Sequence, residues 1–290
     1  MICTLCPRAC RADRTEETGA GVCRMGTLPR VARAALHMWE EPCISGTRGS
    51  GAVFFSGCTL RCAYCQNYDI SHGGQGKTIS VAHLADIFRA LVDQGAHNIN
   101  LVTGTQFVPA ILDALSLYRP PVPVVWNSGG YETLDTLRLL KGAVSVYLPD
   151  IKHVSARLCA LMAGAPDYFE FASRAVKEMC AQTGPAVYDA DGLIVRGTIV
   201  RHLILPGCTG DSCRVLDFIS SELPPDTPVS LMRQYSPIPE CRIKGMDRRI
   251  TDAEYGRVLD HLTALGLSGY MQEKSSATRE YTPPFDGTGV

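Results

Sequence analysis

The stretch GCTLRCAYCQN, residues 57–67, places Cys58, Cys62 and Cys65 at spacings of three and then two intervening residues, directly after the apolar run GAVFF at 51–55. An apolar strand that empties into a cysteine-rich loop is a device for presenting thiolates at a strand end. In a reducing compartment, clustered cysteines are metal ligands more often than disulfide partners. Three thiolates are one fewer than a structural zinc site takes, and one fewer than the irons of a cubane cluster. An iron without a protein ligand is free to bind a small molecule through nitrogen and oxygen.

Working outward from that loop, short apolar runs alternate with helix-like segments. GAVFFSG is followed by a helix whose Val81, Leu84, Ile87, Phe88, Leu91 and Val92 share one face, with Ser80 as N-cap and Gly95 as stop. NINLVTG (98–104) reads as the next strand and VPAILDALSL (108–117) as its helix. VPVVWN (122–127) precedes a helix at 132–140, and VSVYLPD (144–150) precedes one at 168–182. LIVRGTIVRHLILPG (193–207) precedes a helix at 212–221. PVSLMRQY (228–235) precedes a last helix opened by Thr251 and Glu254, a Thr-x-x-Glu capping box. Strands apolar on both faces, each followed by a helix, predict a parallel sheet with helices outside. Six such units are too few to close the eightfold barrel. The expected fold is therefore α/β, an open partial (β/α)6 TIM-like barrel, with its chemistry at the C-terminal ends of the strands. The expected division is a Cys-rich segment at 1–45, the barrel at 46–272 and a tail at 273–290.

With 28 basic and 29 acidic residues in 290, the chain carries no electrostatic footprint for nucleic acid. No apolar run reaches the roughly 18 residues of a membrane span. The N-terminal MICTLCPRAC lacks the apolar core of a signal peptide. A cytoplasmic protein without membrane or nucleic-acid partners is expected. GTRGSG (46–51) and GGQGKT (73–78) resemble phosphate loops, but the second has Ser71 where the first glycine belongs, and no strand runs into it. Both read as turns.

The Cys-x3-Cys-x2-Cys loop after a first strand, with aromatic Tyr64 just before the third cysteine, resembles the radical S-adenosylmethionine (SAM) superfamily. The chain is most similar to pyruvate formate-lyase-activating enzymes and their uncharacterised relatives. The matching stretches are GAHNINLVTGT, PVVWNSGGYE, VYLPDIKH, VRHLILPG and EYTPPF. The resemblance implies a [4Fe–4S] cluster on Cys58, Cys62 and Cys65, with SAM chelating the fourth iron. Reductive cleavage then yields a 5′-deoxyadenosyl radical that abstracts hydrogen from a protein or small-molecule substrate. An electron donor such as flavodoxin or ferredoxin would supply the electron. An iron–sulfur electron carrier or metal-stabilised binding module is the non-enzymatic alternative, and it needs no six-unit barrel.

The same resemblance assigns the SAM pocket. Tyr64 would lie beside the adenine, or simply pack the loop. Thr103, Gly104 and Thr105 stand where activating enzymes carry a Gly-Gly-Glu-like segment for the SAM amino group, but TGTQ has no carboxylate. Asn127 and Ser128 end the third strand and suit the ribose or carboxylate. Asp150 and Lys152 match the Asp-Leu-Lys that ends the fourth, the lysine neutralising the SAM carboxylate. Arg201 and His202 alternate along a strand, so one of the two faces inward. His202 is expected inside, near the ribose.

CTLCPRACRADRTEETGAGVC places Cys3, Cys6, Cys10 and Cys23 within twenty-one residues, enough to close a metal site. Arg8, Arg11, Asp13 and Arg14 leave this segment no apolar pattern to pack with. A structural zinc ion or an auxiliary cluster would order it. Of the thirteen cysteines, those at 43, 159, 180, 208, 213 and 241 read as packing residues. An enzyme acting on a small molecule is expected to seal the open barrel face, with Tyr281, Pro283, Pro284 and Phe285 of the segment 271–290 across the mouth. An activase is expected to leave it open for a partner's loop.

Overall fold

The computed structural model describes residues 2–272 and 282–290. Its sheet opens with β1 (Arg30–His37), antiparallel to β2 (Ser50–Phe55). From β2 the strands run parallel: β3 (Ile99–Val102), β4 (Val124–Ser128), β5 (Val146–Pro149) and β6 (Ile194–Thr198). The long run expected as one strand at 193–207 breaks at Ile199. Its second half, β7 (Val200–Leu203), pairs with β8 (Val229–Met232), while Arg201 still bridges Asp150 just past the end of β5. A short β9 (Gly269–Met271) extends the barrel beyond β8, again in parallel. This is the expected open partial TIM barrel, with β1 and β9 as additions that the alternation of strands and helices did not announce. β1 falls within the segment expected as a separate Cys-rich unit, and it pairs directly with the first barrel strand.

Among the described residues, the helices of about two turns and longer that cover the outside are α1 (Val81–Asp93), α2 (Val108–Leu117), α3 (Leu134–Leu140), α4 (Ala156–Ala163), α5 (Tyr168–Thr183), α6 (Thr209–Glu222) and α7 (Asp252–Ala264). Local chemistry fixes several ends. Ser80 accepts the His83 N–H at 3.1 Å, and Thr251 with Glu254 forms the expected capping box. Gly164 ends α4 in the left-handed conformation, φ 57°.

Strand alternation sorts two surfaces. Val53 and Phe55 of β2, Leu101 of β3 and Trp126 of β4 face the helices, where Leu84, Phe88 and Leu91 of α1 join them in one core. The opposite row across the open end of the barrel runs Phe54, Val102, Asn127 and Leu148, each paired in register with the next. Below it, Cys43 and Ile44 of a one-turn helix (Pro42–Ser45) pack on Val125, Val146 and Ile199 and plug the barrel floor. Asn98 locks that plug by accepting from the Ser50 hydroxyl at 2.6 Å and donating to the Ile44 carbonyl at 2.7 Å. The final residues return to β1, where Ala34 N–H donates to the Thr288 carbonyl. Phe285 packs edge-on against Phe54 at 5.6 Å, inside this edge of the barrel. Tyr281 lies outside the described residues.

The N-terminal segment is held mainly by two arginines. Arg8 donates to the carbonyls of Thr59 and Leu60 in the cysteine loop and of Ala163 and Gly164 at the end of α4. Its guanidinium also lies 5.5 Å from the Tyr131 ring centre. Buried Arg14 donates to the carbonyls of Met25, Gly26 and Gln106. Met25 completes the docking from the apolar side, buried in the same core as Val31 and Phe55.

Candidate active site

The loop after β2 is shaped by contact with the N-terminal segment. Gly57 has φ 77°, and a Cβ there would sit 2.2 Å from Met25 Cγ and 2.7 Å from the Cys23 carbonyl oxygen, so glycine is required. Cys65 N–H donates to the Cys62 carbonyl at 3.1 Å, turning the chain so that Cys58, Cys62 and Cys65 border one cavity. Burial, followed by the neighbouring thiols, pushes the Cys62 thiol up to about 12 and also raises Cys65. Without bound cations these thiols stay protonated; iron would replace the protons.

The same cavity, of about 170 Å³, is lined by Tyr64, Thr103, Asn127, Ser128, Asp150 and Lys152. Thr103 is a β-branched residue at φ 62°, a conformation such residues seldom adopt, and it is held there by its N–H bond to the Asn127 carbonyl at 2.8 Å. Ser128 Oγ also accepts the Gly130 N–H at 3.2 Å. Lys152 Nζ donates to Asp150 Oδ2 at 2.5 Å, and both side chains are partly buried. Burial works against the Lys152 ammonium, but Asp150 and the Cys62 thiol hold it above the ordinary lysine range. Asp150 is held below the ordinary carboxylate range by Lys152 and Arg201, against the opposing effect of burial.

Three expected residues are elsewhere. Gly104 sits against the core, where a Cβ would meet Ile111 and the Trp126 ring. Thr105 is buried and donates to Glu132 Oε1 at 2.7 Å. The two expected orientations on β7 are reversed. Arg201 faces the cavity, donating to Asp150 Oδ1 at 2.9 Å, Asn127 Oδ1 at 2.6 Å and Glu40 Oε2 at 3.2 Å. His202 faces the helices, its Nδ1 2.7 Å from the Ile151 carbonyl oxygen. The reason is charge compensation: Asp150 and Glu40 offset the cost of burying a guanidinium, while the imidazole finds the Ile151 carbonyl on the other side. Arg201, Glu40 and Asn67 were not among the residues expected from sequence. Glu40 follows β1, inside a segment read for its cysteines; an inward arginine demanding carboxylates was the signal that could have found it.

His202 gives a pH prediction. Burial first, and His153 next to it, push its pKa from 6.5 down to about 4. The unfolded chain then binds a proton between pH 6.5 and 4 that the folded chain does not. Stability is thus full above that window and lost as pH falls through it. Over the window the wild type should lose about 3 kcal/mol more than His202→Asn, which keeps a donor for Ile151 but cannot titrate. Urea unfolding at each pH measures this, and equal slopes for the two proteins would contradict it.

The residues suit the implied cofactors. Three thiols edge a cavity that also exposes two cations, Lys152 and Arg201, as needed for a carboxylate. Two buried polar atoms in its lining, Asn67 Oδ1 and Ser236 Oγ, have no partner among the described residues and call for a polar ligand. Among the described residues no three His, Cys, Asp or Glu side chains are gathered tightly enough for a single metal ion. That applies to the N-terminal cysteines too, although Cys6 is influenced by Cys3 and Cys23, and Cys23 by Cys3 and Cys10. No described helix is long and apolar enough to cross a membrane.

Residues 52–199 match the family model of the radical SAM superfamily. The uncharacterized protein MJ0674 of Methanocaldococcus jannaschii is 31% identical over 274 residues, which cover 89% of this chain and 73% of that protein. The chain belongs to the radical SAM superfamily. SuiB of Streptococcus suis, solved with its precursor peptide SuiA, matches in structure with a TM-score of 0.50 at 12% identity, over 74% of this chain and 46% of SuiB. The chain thus spans about half the length of SuiB. A domain of pyruvate-formate lyase-activating enzyme from Bacteroides vulgatus matches 68% of this chain and 96% of its own length, at 12% identity and a TM-score of 0.37.

Proposed function

We propose that this protein holds a [4Fe–4S] cluster on Cys58, Cys62 and Cys65, binds SAM in the adjoining cavity, and abstracts hydrogen from a substrate in the manner of a glycyl-radical-enzyme activase. The observation that carries the reading is the convergence on one cavity of three thiols, two cations and unpartnered polar atoms. The bound cluster and SAM supply a reductive cleavage that yields a hydrogen-abstracting radical, with the electron coming from a donor such as flavodoxin or ferredoxin.

The chain's own residues bind and orient. Lys152 and Arg201 would receive the SAM carboxylate, while Asp150, bonded to both, fixes their positions before SAM arrives. Such preorganised charge needs no rearrangement on binding. Tyr64, buried beside Tyr235 at 6.4 Å between ring centres, gives the adenine a flat apolar wall. Leu60, Val102, Leu203 and Met232 keep water from the same space. The N-terminal cysteines would hold zinc or an auxiliary cluster against the back of the cysteine loop, where Arg8 already bonds Thr59 and Leu60.

An activase acts on a backbone glycine of a partner protein, and the binding of a peptide by SuiB supports a polypeptide substrate. A small-molecule substrate is the second reading, favoured by Pro283 and Phe285, which close on the barrel edge near Asn67 and Phe54. The test is electron paramagnetic resonance of a glycyl-radical protein incubated anaerobically with this enzyme, SAM and dithionite. An organic-radical doublet that needs the cysteine loop is expected; SAM cleavage without a radical on any glycyl partner would remove the activase role.

A further inference from the structure

Beyond Arg201 the barrel contains a second, larger cavity of about 650 Å³, which shares Arg201, Met232 and Gln234 with the first. Its charged lining consists of Glu40, Glu41 and Arg201. The guanidinium is already engaged by Asp150, Asn127 and Glu40. Glu40 in turn accepts from Asn100 and Asn127 through its other oxygen. Glu41 is different. It is 8% exposed, with Ser230 beside it, yet its Oε2 is buried and has no hydrogen-bond partner among the described residues.

A carboxylate oxygen buried without a donor is costly unless something else supplies one. Burial and the neighbouring Glu40 push the Glu41 carboxyl up, while Arg201, already shared with Asp150 and Glu40, and the Ser230 hydroxyl pull it down. A donor that holds Glu41 ionised carries positive charge. The remaining walls agree. Trp39 and Tyr270 line the cavity with Met38 and Met271, offering aromatic faces and flexible apolar contact to an alkyl chain ending in a cation.

We propose that this cavity is the substrate pocket and that it takes an ammonium or guanidinium group, with Glu41 as the acceptor. The inference rests on the reading above that SAM fills the neighbouring cavity, since that places a substrate cation one pocket away from the radical. Glu41 would position the substrate; its carboxyl takes no part in cleaving SAM. A free amine and a basic side chain of a peptide both supply such a cation, and the chemistry seen by Glu41 is the same.

Calorimetric titration of the reconstituted protein separates the possibilities. The titrants are 1,5-diaminopentane against pentan-1-ol, and an acetylated five-residue peptide with central lysine against its norleucine counterpart. At least one cation should bind saturably and at least tenfold more tightly than its neutral partner, and which one does so identifies the source. Glu41→Gln should lose that preference. If neither amine binds, or the neutral forms bind as well, the proposal falls; it also falls if Glu41→Gln keeps the preference. Should Glu41→Gln fold poorly, the comparison of amine with neutral form in the wild type decides without it. SAM cleavage is measured separately, so a failure of this proposal is distinguishable from a failure of the radical SAM reading.

Discussion

Replacing Cys58, Cys62 and Cys65 together with alanine should lower the iron content of the anaerobically reconstituted protein by about four atoms per chain, one cubane cluster. The visible absorbance and the reduced-state electron paramagnetic resonance of that cluster should disappear with it. The argument is local. The three thiols border one cavity, and burial keeps Cys62 protonated until a metal displaces the proton. The change is also one of the most informative available, because it reads on the N-terminal cysteines. If Cys3, Cys6, Cys10 and Cys23 hold an auxiliary cluster, the variant retains iron; if they hold zinc, it retains zinc and no iron. An unchanged iron count in the triple variant would show that the loop is not the cluster site.

The second large effect is on stability. Asp150 joins two partly buried cations, Lys152 at 2.5 Å and Arg201 at 2.9 Å, with side-chain exposures of 15%, 19% and 13% for Asp150, Lys152 and Arg201. Asp150→Ala would leave the two cations with one carboxylate, Glu40 at 3.2 Å from Arg201, and the neutral Asn127 Oδ1. Breaking a buried charge network from its shared member costs about 3–5 kcal/mol, a large part of the ordinary stability of a domain. Lys152→Met removes one cation and leaves Asp150 paired with Arg201, so it should cost distinctly less. Urea unfolding of the three proteins without cofactors measures both. Equal destabilisation by the two variants would mean that Asp150 is not the hub of this network.

How far the sequence could be read depended on how local the signal was. The cysteine loop, the Ser80 and Thr251 caps and the apolar faces of the strands are written in neighbouring residues, and they led to the partial barrel. Asp150 and Lys152 were legible only through the resemblance to the Asp-Leu-Lys that ends the fourth strand of activating enzymes; by spacing alone they would pass for a surface ion pair. The break at Ile199 was not: β6 and β7 form one apolar run, and the division shows only in the pairing, β6 lying on β5 at one edge and β7 taking β8 at the other. The inward side of β7 was misread for a related reason. Alternation shows that Arg201 and His202 face opposite ways, but which of them faces inward depends on Glu40, 161 residues distant in sequence. Thr105 was placed by a resemblance to a carboxylate-bearing segment. In the fold it bonds Glu132, a buried carboxylate on the following loop whose pKa burial raises to about 7. Pairings across the barrel are what sequence spacing conceals.

The most direct test of the central claim is anaerobic quantification of 5′-deoxyadenosine and methionine after addition of SAM and dithionite to the reconstituted protein. Both products should form with the wild type and fall to background in the Cys58→Ala, Cys62→Ala, Cys65→Ala variant. A wild type that carries a full, reducible cluster and yet leaves SAM intact, with and without a substrate, would contradict the account.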